Sequence, residues 1–298
     1  MYAVSALAGW SPAGCRAWRR YASAVLSILA LASSLVWGTS DFFAGLASRR
    51  HPAVAIVGWT QGLALLVISV VLAFRWDTVT WSARPPWPVA AGLTGMAGLI
   101  CFYSALSAGT MGVVAPIAAL GVVVPVILGV ASGEAPSPWA WVGMLVAIIG
   151  VTLASGPELS GDVSPRPVVL AACAAVGFGL ALFCLDRGAR ESTLLTLWGM
   201  RMTSVTILVV VALVFRSTGG VTARETPALL AIGCGDLVAN GLFAYASSRG
   251  QVSIASVLGS LYPVVTVVWA RFLLDERLRR VQQVGVALAV VGAGVTAF

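Results

Sequence analysis

Ten apolar runs, lying at about 22–45, 52–74, 87–108, 111–131, 139–156, 167–185, 192–215, 227–247, 251–274 and 281–298, take up nearly the whole chain. A helix needs about 20 apolar residues to cross a hydrocarbon core of about 30 Å, and each run is close to that length. No ten-residue segment alternates apolar with polar, so the spans read as helices rather than barrel strands. Composition closes off the soluble alternatives. Of 298 residues, 59% are hydrophobic and 10% charged, against about 45–50% and about 25% in a soluble domain. A globule of this length still exposes about a quarter of its unfolded surface and cannot hide so much apolar area. A soluble enzyme, a secreted disulfide scaffold and a disordered chain are excluded. The fold class is an all-α integral membrane protein with about ten transmembrane helices.

The breaks carry turn and charge signals: Arg49-Arg50-His51-Pro52, Arg84-Pro85-Pro86, Gly133-Glu134-Ala135-Pro136 and Asp275-Glu276-Arg277. All 18 basic residues are Arg, scattered at the ends of apolar runs. That placement suits lipid head groups and does not make a nucleic-acid stripe. An Arg-only, Ala-, Gly- and Val-rich chain reads as the product of a GC-rich bacterial genome, so the bacterial plasma (inner) membrane is the expected location. Arg16, Arg19 and Arg20 precede a run too long for a signal peptide, so the first helix is expected to stay in place. The Arg balance between the two sides is even, and the N-terminal cluster tips both termini towards the cytoplasm.

The polar stretch from Gly156 to Pro167 divides the chain nearly in half. Sliding the chain by 142 residues sets Tyr103 on Tyr245, Glu134 on Glu276, Val142-Gly143 on Val284-Gly285 and Gly150 on Gly292. Ten of the 66 positions from Ala91 to Gly156 match without a gap. Five helices per half is an odd number, so the second repeat enters the membrane in the opposite sense. The expected organisation is a cytoplasmic segment 1–21, a first five-helix repeat 22–156 and an inverted second repeat 167–298. Inverted repeats of this kind belong mainly to secondary transporters.

Trp37-Gly38-Thr39-Ser40-Asp41-Phe42-Phe43 resembles the tryptophan-glycine signature of EamA-type proteins of the drug/metabolite transporter superfamily. Ser260-Leu261-Tyr262-Pro263, with Asp275-Glu276-Arg277-Leu278 and Gly285, resembles that family's proline-to-Gly-Glu-Arg pattern. Val124-Pro125 with Gly133-Glu134-Ala135-Pro136 and Gly143 is the first-half counterpart. The resemblance covers essentially the whole chain. Asp275 stands where the family usually has Gly, and Ala135 where it often has Arg; both departures fall in turns. The resemblance implies a ten-helix, two-repeat carrier of amino acids, other metabolites or toxic compounds, and leaves the substrate open.

Ionisable groups deep in a bilayer are costly and point to function. Asp236 sits mid-way along the eighth run, Arg201 about ten residues inside the seventh, and Asp41 towards the end of the first. Helical spacing places Ser33, Trp37, Ser40 and Asp41 on one stripe, and Asp236, Asn240 and Ser247 on another. Both stripes are expected to face an interior cavity, with Arg201 and Asp236 acting either in the site or as a structural ion pair. Gln61, Tyr103 and Tyr245 are candidates for substrate contacts or interhelical bonds. Pro116, Pro125 and Pro263 suit bends, Glu134 and Glu276 suit helix docking, and Gly143, Ala147 and Gly150 suit close helix contact. Five cysteines and the lone His51 have no metal-ligand spacing, and no Walker motif is present, so no metal, cofactor or ATP drive is expected. The expected partners are a small-molecule substrate and the bilayer, with monomer and homodimer both open.

The function expected is secondary-active transport, export above all, by alternating access. Proton coupling would run through Asp236 alternating between paired and protonated, with Asp41 as a second site. The alternative is a membrane-embedded enzyme acting on a lipid or isoprenoid.

Overall fold

The computed structural model describes residues 12–75, 86–108, 114, 117–154, 165–273 and 279–296, without the side chains of 12–20, 267 and 270. Pro116, Asp275, Glu276 and Arg277 lie outside the described residues. Among those described, the regular structure is helical: α1 (Pro12–Ser48), α2 (Ala53–Phe74), α3 (Trp87–Ala108), α4 (Val123–Ala131), α5 (Pro138–Ala154), α6 (Pro165–Phe215), α7 (Thr226–Arg249), α8 (Val252–Gly259), α9 (Tyr262–Leu273) and α10 (Arg280–Thr296). Six stretches are long and apolar enough to cross a membrane: Tyr21–Ser48, Ala53–Phe74, Trp87–Ser107, Pro165–Phe215, Thr226–Arg249 and Val252–Leu273. Ile117–Ala131, Pro138–Ala154 and Arg280–Thr296 are shorter apolar helices. Exposed Phe74, Ile127, Leu145, Leu213, Phe215, Phe272 and Val290 give the assembly an apolar exterior suited to lipid.

Three boundaries differ from the sequence reading, each for a local reason. The first helix extends back to Pro12, where proline suits a first helical turn, although its apolar span begins at Tyr21, close to the expected start near 22. The runs expected to end at 185 and resume at 192 are one 51-residue element, α6, interrupted only at Ser192 (φ −154°, ψ 112°). A straight helix of that length would measure about 76 Å, far beyond a bilayer core. Instead the chain reverses: a Cβ on Gly188 would lie 2.6 Å from the Thr196 side chain, where eight helical residues would span about 12 Å. The i,i+4 pair Asp186–Arg190 (2.9 Å) carries the first arm past the expected end. Ser192 Oγ then accepts from Leu195 N at 3.3 Å and caps the second arm.

The ninth run, expected as one helix over 251–274, is broken between α8 and α9 at Ser260-Leu261. Pro263 has no N–H for the carbonyl four residues back, which ends α8 at Gly259. The fourth run has the same feature in milder form. A 3₁₀ turn, Leu120–Val122, precedes α4 and its Pro125.

Close helix crossings are built on glycine. In α1, a Cβ on Gly38 would collide with Tyr262 O and Val265 of α9; in α7, one on Gly233 would collide with Thr60 of α2. The α5–α10 seam is the most regular case. Gly143 meets Thr296 and Gly292, and Gly150 meets Ala289; conversely Gly285 meets Ala154, and Gly292 meets Ala147. Residue numbers rise on one helix as they fall on the other, so the two run antiparallel. Shifting by 142 turns Gly143–Thr296 into Gly285–Ala154, and Gly150–Ala289 into Gly292–Ala147. The contact is therefore self-complementary, as in a twofold dimer, but within one chain.

Candidate functional site

The other helices surround a central cavity of ≈ 100 Å³. Its described lining comes from α1, α2, α3, the turn before α4, both arms of α6, α7 and the α8–α9 break, and none of it from α5 or α10. Trp37, Asp41, Gln61, Arg201, Asp236 and Asn240 all line it. Six of the eight candidate side chains, taken from four separate runs, thus converge on one space.

Arg201 organises one wall. It is 2% exposed, on the second arm of α6. Its Nη2 donates to Asp236 Oδ2 at 2.5 Å and its Nη1 to Gln61 Oε1 at 2.6 Å. Ser204, one turn on, donates to the same Gln61 oxygen at 3.0 Å. Asp236 Oδ1 also accepts from Trp37 Nε1 at 3.2 Å and from Asn240 Nδ2 at 3.0 Å. The Asp236 carboxylate is thereby compensated by one cation and two neutral donors, the condition under which a charge survives in a low-dielectric interior. The Trp37 ring lies 5.6 Å from that of Phe243, which steadies it.

One turn beyond Trp37 on α1, the surroundings of Asp41 are sparer. Asp41 forms no ion pair among the described residues, and its hydrogen-bond partner there is the Tyr103 hydroxyl at 3.1 Å. Tyr103 is buried behind the wall and reaches the site only through Asp41. Tyr245, its counterpart in the repeat, is 45% exposed. The Arg249 guanidinium sits 3.9 Å above its ring, and Tyr245 does not line the cavity. The sequence reading did not single out Ser204, Met96, Leu99 or Phe178, which also line it, and named Tyr262 only within the proline motif and not as a site residue. Ser204 was accessible from its i+3 spacing to Arg201; the apolar members resemble any other core residue.

Both ends of the assembly carry polar clasps. Glu134, which follows α4, docks on the N-terminus of α8: its carboxylate accepts from Val252 N (2.7 Å), Ser253 N (3.0 Å) and Ser253 Oγ (2.6 Å). At the α1–α2 turn, His51 Nε2 lies 2.7 Å from Glu225 Oε1, and Nδ1 lies 3.1 Å from Gly219 O. Both ring nitrogens face acceptors, which suits an imidazolium. The bond to Glu225 and then that to the Gly219 carbonyl push His51 above its ordinary pKa. The Thr222 N–H, then His51, then the Thr222 hydroxyl hold Glu225 down at about 2. Arg49, Arg50, His51 and Glu225 border a wider recess of ≈ 760 Å³ at this end. Among the described residues no His, Cys, Asp and Glu side chains gather into a group able to hold a metal.

Apolar spans around a largely apolar cavity that holds a few buried polar and ionisable groups make this a multi-pass membrane protein. The sequence profile of the EamA-like transporter family matches the chain twice, over residues 25–156 and 165–298, and the chain belongs to that family. The two matches fall on the two repeats. No curated protein matches the chain. A solved crystal structure is similar to it in fold, with a TM-score of 0.75 at 21% identity, covering 91% of this chain and 97% of the other.

Proposed function

We propose that the protein is a secondary-active transporter of the bacterial plasma membrane. It exports a small metabolite, amino acid or drug-like compound by alternating access between two inverted five-helix repeats. One observation carries the reading: the polar network in the cavity bridges the two family matches. Trp37 and Gln61 come from the first, and Arg201, Asp236 and Asn240 from the second. Contacts of this kind can be exchanged for water or substrate when one repeat rocks against the other. The self-complementary, antiparallel α5–α10 seam supports the inversion, since a twofold relating two antiparallel spans lies across them. The α6 reversal at Ser192 and the α8–α9 break fit a plan of ten crossings. Family membership weighs against the lipid-enzyme alternative. Counterflow of labelled metabolites in proteoliposomes tests the reading. Exchange across the membrane supports it; product formation without movement contradicts it.

A further inference from the structure

The geometry points to Asp41 as the binding carboxylate for a small organic monocation with an apolar body, exchanged one for one against a proton. This rests on the carrier reading above and names its substrate class. The argument begins with charge. The ionisable groups of the cavity lining, apart from the Tyr262 phenol, are Asp41, Asp236 and Arg201. Arg201 and Asp236 neutralise each other at 2.5 Å, which leaves one negative charge unbalanced, on Asp41. A bare carboxylate in such a space is costly, so it is held either by a proton or by a bound cation. The two exclude each other. With Asp41 ionised, a zwitterion would leave the imbalance in place and an anion would double it, so only a cation can take the proton's place.

The surroundings of Asp41 fit this role. The titratable groups facing it are Tyr103 from α3, Tyr262 from α9, and Asp236 from α7 with its Arg201. Of these only Arg201 carries positive charge; its two terminal nitrogens are engaged by Gln61 and Asp236, and its Nε is buried without a partner among the described residues. The Tyr262 hydroxyl is buried without a hydrogen-bond partner among the described residues and offers a further oxygen to a cation. Trp37 and Tyr262 present aromatic rings, while Met96, Leu99, Phe178 and Met200 supply apolar surface for the body of the ligand. Loading the cation displaces the proton from Asp41, and protonation releases the cation, so the cavity carries the same charge in both crossings. Asp236 then serves as the fixed partner of Arg201 rather than as the group that titrates.

The test uses the full chain and three probes sharing a phenyl body: benzyltrimethylammonium, benzoate and phenylalanine. Equilibrium binding of each is measured from pH 5 to 9, followed by counterflow in proteoliposomes. The account expects the cation to bind at least tenfold tighter than the other two at pH 8. Its affinity should fall about tenfold per pH unit below the Asp41 midpoint, as competition with one proton requires. Asp41→Asn should lower cation affinity at least tenfold and flatten the pH dependence, while Asp41→Glu retains a pH slope. Preference for benzoate or phenylalanine, a flat pH profile in the unaltered protein, or no binding of the cation overturns the Asp41 proposal. The pH slope is read on the unaltered protein, so misfolding of Asp41→Asn does not protect the idea. Counterflow of benzoate or phenylalanine alone would leave the carrier standing and remove Asp41. Asp41-dependent binding of the cation without counterflow of any probe would keep the site and remove the carrier.

Discussion

The α5–α10 seam and the central cavity join the same two repeats by opposite means. At the seam, glycine backbones lie so close that a single added carbon would strike main chain on the facing helix. At the cavity, long side chains from α1, α2, α6 and α7 span the gap and meet through hydrogen bonds. Packed backbone has no second arrangement at low cost, because protein interiors are close-packed. A hydrogen-bonded bridge does have one, since its donors and acceptors can be met by water or ligand instead. Under the proposed alternating access, the seam would be the fixed axis and the cavity the part that opens.

The largest expected effect lies in the bridge. Arg201→Met leaves the half-buried Asp236 carboxylate without its cation, held only by the neutral Trp37 and Asn240 donors, and is expected to cost about 3 kcal/mol, the lower end for a broken buried pair. Adding Asp236→Leu should restore most of it, since an apolar pair of similar volume is tolerated in place of an ion pair. Thermal unfolding in nanodiscs reads both, and a neutral Arg201→Met would show that the bridge holds nothing. Next comes the seam. Gly150→Leu forces α5 off Ala289 and is expected to cost about 3 kcal/mol, at the upper end for overpacking. Gly62→Ala, where a Cβ meets nothing within 4 Å, should be neutral or stabilising by up to about 1 kcal/mol. Equal effects at the two glycines would erase the distinction between axis and moving part.

The end clasps sharpen the comparison further. Glu134→Gln keeps one acceptor on the α8 N-terminus but removes the charge, at an expected cost of about 1.5 kcal/mol, seen as faster hydrogen exchange at Val252 and Ser253. The smallest effect belongs to His51–Glu225. The raised His51 contributes below pH 6.5 and is lost as pH climbs through its elevated value; the depressed Glu225 contributes above pH 4.5 and is lost as pH falls towards 2. Exchange protection of residues 216–225 is thus expected to be greatest between pH 4.5 and 6.5. His51→Gln should remove the decline at high pH, and a decline that persists would place its origin elsewhere.

Much of this was readable from the chain before folding. The spans of α2, α3 and α7 fall within two residues of their apolar runs, because proline and arginine mark their ends. The close-contact face of α5 was visible in Gly143, Ala147 and Gly150, since small residues at helical spacing suit close helix contact, but its partner α10 was not. Arg201, Asp236, Asn240, Gln61, Trp37 and Asp41 were visible because polarity inside an apolar run is conspicuous. What stayed hidden depends on three-dimensional neighbours. The reversal at Ser192 rests on a cap and an ion pair that look like ordinary helix sequence. Tyr103 and Tyr245 occupy equivalent repeat positions, yet one backs Asp41 while the other lies under Arg249 at a helix end. The repeat preserved the packing of its outer helices and let the cavity diverge.

Alternating access is the central claim, and solvent access to the cavity wall tests it most directly. Met96 would be replaced by cysteine in a chain whose five native cysteines are serine or alanine, and labelled with a membrane-impermeant maleimide from each side of oriented vesicles. The account expects Cys at position 96 to react from both sides, with transported substrate shifting the ratio and no leak of the reagent across the membrane. Reaction from one side alone, whatever the substrate, would make the cavity a closed-ended crevice and contradict the carrier.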